Sequence, residues 1–246
     1  MINTIQLWDC LEIMKSIPDG SIDAIITDPP FWTTACKWDS VIPFEPMWKE
    51  LKRIIKPNGA IVLFGSEPFS SALRMSNIKQ YKYDWIWEKE RPSNFASCKY
   101  QPMRYSENIS VFYSKTCLYN PQITIGKKNN SVWKWIRNKV NESNLPTSKT
   151  SYQNNPESNL KYPRNILHFE RWVSQVHPTQ KPVALIEYLI KTYTNEWETV
   201  LDFTSWSWTT WIAAQNTNRN YILIEKDEWY YNISLERLAK NKSSIN

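Results

Sequence analysis

The chain has 246 residues, is 41% hydrophobic and carries a formal net charge of +6. No apolar run approaches the roughly 18 residues that a membrane-spanning helix needs, and the first residues do not resemble a signal peptide. We therefore predict a cytoplasmic protein with one α/β domain and an inserted lobe. The four cysteines and two histidines lack metal-ligand spacing, so we expect free thiols and no metal site.

The positive charge is concentrated in the middle of the chain. Residues 89–171 carry a net charge of +9, which leaves −3 for the remainder. Aromatic residues such as Tyr100, Tyr105, Trp133 and Trp135 are interleaved with these basic residues. This pattern is typical of a surface that contacts phosphates and bases. The alternative is a solvated basic lobe without a nucleic-acid partner.

The first half of the chain alternates predicted strands and helices. A short strand and a helix are predicted from residue 5 to the turn at Asp19-Gly20, and Lys56-Pro57-Asn58-Gly59 is predicted to end a later helix. Further strands are predicted at 22–27, 60–64, 83–87 and 109–113, and helices at 44–55 and from about 70. This alternation predicts a doubly wound, mostly parallel sheet.

The second half returns to order after a long polar stretch. Periodicity is lost from about 126 to 163, so we interpret 90–163 as a strand plus an inserted, basic target-recognition lobe. Beyond it, helices are predicted at 183–193, 212–216 and about 229–240, and strands at 199–203 and 221–225.

The stretch Asp28-Pro29-Pro30-Phe31 follows an apolar, β-branched strand. Open α/β sheets place their chemistry at such carboxyl ends. Two prolines remove backbone donors, so the nearby carbonyls are left to accept hydrogen bonds from a ligand. Asp28 adds a carboxylate acceptor and Phe31 a flat surface for a base. The stretch therefore favours a site for an exocyclic amine; the alternative is a proline turn with an exposed acid.

This tetrapeptide resembles the catalytic motif of the amino-group DNA methyltransferases, which methylate adenine N6 or cytosine N4 with S-adenosylmethionine. In that family an initial Asp favours adenine. The resemblance implies a Rossmann-like methyltransferase sheet that is circularly rearranged, in the motif order of the β group, so that residues near 28 and 205 meet. It also implies double-stranded DNA as a partner, and it leaves open a homodimer and a restriction endonuclease partner.

The resemblance also assigns roles to particular residues. It divides the chain into a catalytic half at 1–89, the lobe at 90–163 and a cofactor-binding half at 164–246. Lys181, in the string from His177 to Pro182, would suit the cofactor carboxylate, and Glu225 would accept hydrogen bonds from the ribose hydroxyls. The implied cofactor-binding residues are Asp9, Cys10, His177, Thr179, Lys181, Asp202, Phe203, Thr204, Ser205, Ser207, Thr209, Thr210 and Glu225, and the implied catalytic residues are Asp28, Pro29, Pro30 and Phe31.

Glycine is unusually scarce in this chain. Average usage of about 7% predicts roughly 17 glycines, but the chain has 4 glycines and 14 tryptophans. Several tryptophans occupy glycine-like positions, namely Trp8, Trp32, Trp197, Trp206, Trp208 and Trp211. Either the gene uses a code in which UGA specifies glycine, or the tryptophans are real and the protein is a relic. We favour the first account because the neighbouring motif residues are intact, and UGG codons at these positions would refute it.

The mechanism implied by the resemblance is direct methyl transfer to a flipped-out adenine without a metal or a covalent enzyme intermediate. Methylation of cytosine N4 is a close alternative. Methylation of RNA or of a protein glutamine also uses a Pro-Pro-aromatic motif, but typically with an initial Asn and the opposite motif order. The remaining alternative is a non-catalytic DNA-binding relic.

Overall fold

A computed structural model describes residues 2–31, 41–127, 159–170, 180–205 and 209–232. Eight of the described strands form one sheet in the order β1-β10-β9-β2-β3-β5-β4-β8. Strand β5 pairs antiparallel with β3 and with β4, and the other pairs are parallel. The described strands are β1 (Thr4–Leu7), β2 (Ile22–Thr27), β3 (Ile55–Gly65), β4 (Tyr81–Glu88), β5 (Ser106–Phe112), β6 (Thr124–Ile125), β7 (Leu160–Lys161), β8 (Ile166–His168), β9 (Thr199–Asp202) and β10 (Asn220–Glu225).

Helices cover both faces of this sheet. The described α-helices are α1 (Cys10–Met14), α2 (Phe44–Ile54), α3 (Phe69–Ser76), α4 (Val183–Tyr193) and α5 (Thr209–Asn216). One buried cluster joins α4 and α5 to Ala24 and Ile26 of β2. A second cluster joins α1, α2 and α3 to Ile25 of the same strand. Adjacent residues of a strand point to opposite faces, so β2 is buried from both sides and the predicted doubly wound α/β fold is confirmed.

Several element boundaries differ from the predictions by a few residues, and the junction of α2 with β3 is one of them. Helix α2 ends at Ile54 and β3 begins at Ile55, so no separate turn follows the helix. Instead, the pairing of β2 with β3 jumps from Ile22–Ile55 to Ala24–Ala60. The predicted stop at 56–59 is therefore an irregularity within a strand. The predicted final helix at 229–240 lies mostly outside the described residues.

The chain divides into two compact units, Met1–Asn120 with Asn165–Asn246, and Pro121–Arg164. The large sheet lies in the first unit, and β6 and β7 form an antiparallel pair in the second. The division into catalytic, recognition and cofactor-binding parts stays a prediction. Among the described residues, no helix combines the length and apolar character needed to cross a membrane.

Candidate active site

The carboxyl ends of β2 and β9 are bonded to each other. The hydroxyl of Thr27 donates to Asp202 Oδ1 at 2.5 Å and accepts from the backbone N–H of Phe203 at 2.9 Å. One residue further on, the hydroxyl of Thr204 donates to the carbonyl of Asp28 at 3.1 Å. Residues near 28 and 205 therefore meet as predicted, although more than 170 positions separate them.

The Asp28 side chain begins a chain of buried charges. The Lys181 ammonium donates a hydrogen bond to Asp28 Oδ2 at 2.6 Å and forms an ion pair with Glu107 Oε2 at 3.1 Å, without hydrogen-bond geometry. The Lys89 ammonium then donates to Glu107 Oε1 at 3.1 Å. The second carboxylate oxygen, Asp28 Oδ1, is buried and has no hydrogen-bond partner in the described part of the chain. Because a buried acceptor of this kind normally has a partner, Oδ1 is available to a ligand N–H.

Burial raises the pKa of Asp28 to about 6, and the nearby carboxylates of Glu107 and Asp202 add to this effect. Lys181 opposes both because its positive charge stabilises the ionised form. Burial disfavours charge on Lys181 as well, but Asp28 and Glu107 outweigh it and raise the pKa of the ammonium. The pair is therefore a carboxylate and an ammonium near neutral pH, with Asp28 close to its titration range.

The turn between β9 and α5 is organised around Asp202. Its Oδ2 accepts from Thr210 Oγ1 at 2.6 Å, and its Oδ1 accepts from the Thr204 backbone N–H at 3.2 Å. A small cavity beside this turn lies between Asp28 at the end of β2 and Asp202 at the end of β9. It is lined by Ile26, Thr27, Asp28, Phe64, Lys181, Ile186, Asp202, Thr204, Thr209 and Thr210. The lining of this cavity thus combines buried acids, hydroxyl groups and the Lys181 ammonium at a single edge of the sheet.

A third group of predicted residues lies where β1 and β10 end. Asp9 caps α1 by accepting from the Leu11 backbone N–H at 3.0 Å, and its other oxygen accepts from Lys226 at 3.0 Å. The Glu225 carboxylate is buried and accepts from the backbone N–H of Asp227 at 2.7 Å. Burial raises the pKa of Glu225 to about 7. A buried acid at the end of a strand fits the recognition of ribose hydroxyls.

Comparison with known proteins decides the family. The N6/N4 methyltransferase family model, described as DNA methylase, matches residues 22–236. The chain belongs to this DNA methylase family. The Type II methyltransferase M.HinfI of Haemophilus influenzae is 28% identical to it, over 100% of this chain and 70% of that protein. The DNA adenine methyltransferase YhdJ of Escherichia coli K12 is 27% identical, over 96% of this chain and 82% of that protein.

Solved structures agree with the fold of this DNA methylase. The crystal structure of the M1.HpyAVI–SAM complex has a TM-score of 0.62 and 24% identity, and the match covers 95% of this chain and 100% of that one. The cytosine-N4-specific PvuII DNA methyltransferase has a TM-score of 0.63 and 18% identity, covering 94% of this chain and 84% of that one. The Rossmann-like methyltransferase sheet implied by the family resemblance is confirmed.

Only some of the predicted site residues that the structure describes line the cavity, and others are buried in the core. Thr204, Thr209 and Thr210 line the cavity, whereas Phe203 is buried in a core cluster and Ser205 is 5% exposed, with its N–H bonded to the carbonyl of Ile224. Cys10 is also buried. His177, Thr179 and Ser207 lie outside the described residues, as do Cys36, Trp32, Trp206 and Trp208.

Three further observations concern the edge of the sheet that carries Asp28. Phe31 is partly buried against Phe69, with ring centroids 5.7 Å apart. Lys181, predicted from the resemblance to face the cofactor, has Asp28 and Glu107 as its partners. Glu107 and Lys89 were not predicted to belong to the site. The sequence shows Glu107 only as an acid at the start of an apolar strand. That pattern does not predict which residue the acid contacts.

Proposed function

We propose that this protein transfers a methyl group from S-adenosylmethionine to N6 of adenine in double-stranded DNA. The observation that carries the proposal is the buried Asp28 Oδ1 at the start of the Asp-Pro-Pro-Phe motif, which has no hydrogen-bond partner among the described residues. An ionised carboxylate in this position accepts one N–H of the target amine and increases electron density on the nitrogen. We further propose Phe31 as the stacking surface for the base and the carbonyl of Pro29 as the second acceptor of the amine.

The residues around the cavity fit S-adenosylmethionine. Bound there, this cofactor would supply a methyl group activated by a positively charged sulfur. We propose that Asp202, Thr204, Thr209 and Thr210 bind it on the side of the cavity, and that Glu225 holds its ribose. The support is the donor set itself, since buried acids beside hydroxyl groups suit a cationic, hydroxyl-rich ligand.

A folded loop at the same edge of the sheet supports DNA as the substrate. Residues 89–105, named here the aromatic loop, are closed by a bond from the Lys89 N–H to the carbonyl of Tyr105 at 2.6 Å. Arg104 ties the loop to Ser66, directly after β3, at 2.7 Å. Phe95 is 72% exposed and Tyr100 is 88% exposed. Exposed rings on an ordered, basic loop are suited to stacking with bases.

The test is methylation of duplex DNA by the purified protein, with analysis of the methylated nucleoside. We expect N6-methyladenine in the wild type and loss of transfer in Asp28→Ala, with DNA affinity largely unchanged. N4-methylcytosine would instead favour the cytosine alternative, for which PvuII methyltransferase is a structural precedent. Loss of transfer together with DNA binding would count against the role of Asp28. The homodimer and the restriction endonuclease partner remain predictions.

A further inference from the structure

Four charged side chains of alternating sign form a buried series in the core of the site. The exposed fraction of the side chain is 1% for Lys89, 11% for Glu107, 6% for Lys181 and 14% for Asp28. Removing such ions from water costs several kcal/mol each, which their mutual attraction rarely exceeds. Apolar residues of similar volume often serve a fold as well as a buried ion pair does. The series therefore points to a role beyond stability.

We propose that Lys181 is a positioning residue for methyl transfer, which holds Asp28 Oδ2 so that Oδ1 faces the target amine, and that Glu107 fixes Lys181 in this position. The inference rests on the proposed function of Asp28. It concerns how the carboxylate is oriented and kept ionised, and it assigns Lys181 to the substrate side of the site. Lys89 completes the arrangement by engaging the other oxygen of Glu107.

The position of the Lys181 ammonium is determined on several sides. Its centre lies 5.2 Å from the ring centroid of Phe64 and 5.9 Å from that of Trp87, where a cation is attracted to the aromatic faces. The main chain is held as well, because the hydroxyl of Thr209 in α5 donates to the carbonyl of Lys181 at 3.2 Å. A flexible lysine is thereby confined to one place between Asp28 and Glu107.

The charges around Asp28 explain why this confinement is needed. The carboxylates of Glu107 and Asp202 both raise its pKa, and Lys181 opposes them. Without the ammonium, Asp28 would be a buried acid beside two other acids, and it would be protonated near neutral pH. A protonated carboxyl group is a weaker acceptor for an amine N–H than a carboxylate. Lys181 therefore preserves both the charge and the orientation of Asp28.

The two partners of the ammonium predict effects of opposite sign. In Lys181→Met we expect the pKa of Asp28 to rise, because the opposing charge is lost. In Glu107→Gln we expect it to fall, because a carboxylate that raises it is removed. Carboxyl 13C NMR titration, assigned with Asp28→Asn, measures these values without requiring activity. Single-turnover transfer to duplex DNA should show its acidic limb displaced in the same two directions.

Both variants should also transfer more slowly on the pH plateau, by roughly 10- to 100-fold for Lys181→Met, as for groups that orient a reacting ligand. The matched control is Lys56→Met, which removes the lysine bonded to Asp23 at 2.6 Å, at the other end of β2. It should leave the pKa of Asp28 and the transfer rate unchanged.

The proposal is overturned if Lys181→Met and Glu107→Gln leave the pKa of Asp28 unchanged or move it in the same direction. If Lys181→Met does not fold, Glu107→Gln and the charge-preserving Lys181→Arg decide the question, the latter being expected to keep the pKa close to that of the wild type. If the variants show these pKa shifts but the wild-type protein transfers no methyl group to DNA, the proposed function is refuted and the role of the ion pair is not.

Discussion

The two ends of strand β2 carry the same chemical pair in different settings. At the amino end, Asp23 accepts from Lys56 at 2.6 Å through one oxygen and from the Thr199 backbone N–H at 2.9 Å through the other. At the carboxyl end, Asp28 is also 2.6 Å from a lysine, but its second oxygen has no partner among the described residues. Both carboxylate oxygens of Asp23 therefore have a partner, one in β3 and one in β9. The pair at the carboxyl end leaves one acceptor for a ligand.

Burial separates the two pairs further. The Lys56 side chain is 40% exposed, whereas that of Lys181 is 6% exposed. Water can therefore compete with Asp23 for Lys56 more readily than it can compete with Asp28 for Lys181. A short lysine–aspartate distance therefore does not identify a site; the number of satisfied carboxylate oxygens and the access of water do.

The largest expected effect is the loss of stability on removing each lysine. Lys181→Met should lower the free energy of unfolding by roughly 3–5 kcal/mol, because the buried carboxyl groups of Asp28 and Glu107 lose the ammonium that they share. Lys56→Met should lower it by at most about 1 kcal/mol, because that pair is partly exposed. Urea unfolding at pH 7 measures both. Equal losses would contradict the distinction between the two ends of the strand.

The second effect is a pH dependence that only the carboxyl end produces. The folded-state pKa of Asp28 is raised from 3.8 to about 6, so the folded protein binds a proton more tightly than the unfolded chain does. The resulting stabilisation is fully present below about pH 4 and is lost as the pH rises through about 6, and it amounts to roughly 3 kcal/mol.

Unfolding measured across this pH range in the wild type and in Asp28→Asn isolates the contribution, because the variant lacks the titrating group. The difference in unfolding free energy between the two proteins should change by that amount between pH 7 and pH 4. A parallel pair of stability curves would show that Asp28 titrates normally in the folded protein.

The third effect concerns DNA affinity at the carboxyl edge. Tyr100→Ala and Phe95→Ala should each weaken binding to duplex DNA by about 1–3 kcal/mol if these rings stack on bases. Met75→Ala, which removes a 70% exposed side chain of α3, is the control and should have no effect. Fluorescence anisotropy at fixed salt measures the affinities. An equal loss in all three variants, or none, would argue against the aromatic loop as a DNA contact.

Local sequence patterns were sufficient for much of the fold. Strand β2 and helix α4 have the predicted bounds, because apolar periodicity and flanking prolines determine them locally. The meeting of Asp28 with Thr204 followed from the motif order of the family. Once that motif order is known, it is sufficient to predict that β2 and β9 are neighbours in the sheet.

The ion-pair series was not predictable in the same way. Asp28 and Lys181 are 153 positions apart, and Glu107 comes from a strand that runs antiparallel to its neighbours β3 and β4. The sequence around Lys181 and Glu107 does not indicate that either side chain is buried, since an isolated Lys or Glu is normally exposed. Only the three-dimensional register places the carboxylate of Glu107 beside the ammonium of Lys181.

The smallest expected effect is at the amino edge, two residues before Thr199. Trp197 has a backbone φ of +67°, a left-handed conformation that costs a non-glycine residue about 1–2 kcal/mol. Its indole is 72% exposed and has little packing to lose. Trp197→Gly should therefore raise the free energy of unfolding by about 1 kcal/mol without altering methyl transfer.

Trp8→Gly is the matched control, because Trp8 is also exposed, at 63%, and also occupies a glycine-like position, but its φ is not among the positive values of the described residues. Glycine there gains no relief of strain and adds freedom to the unfolded chain, so stability should fall by roughly 0.5–1 kcal/mol. Thermal unfolding of the two variants should thus give changes of opposite sign. Equal changes would mean that the backbone at Trp197 is not strained. A position where the family motif has glycine would then not indicate a left-handed backbone.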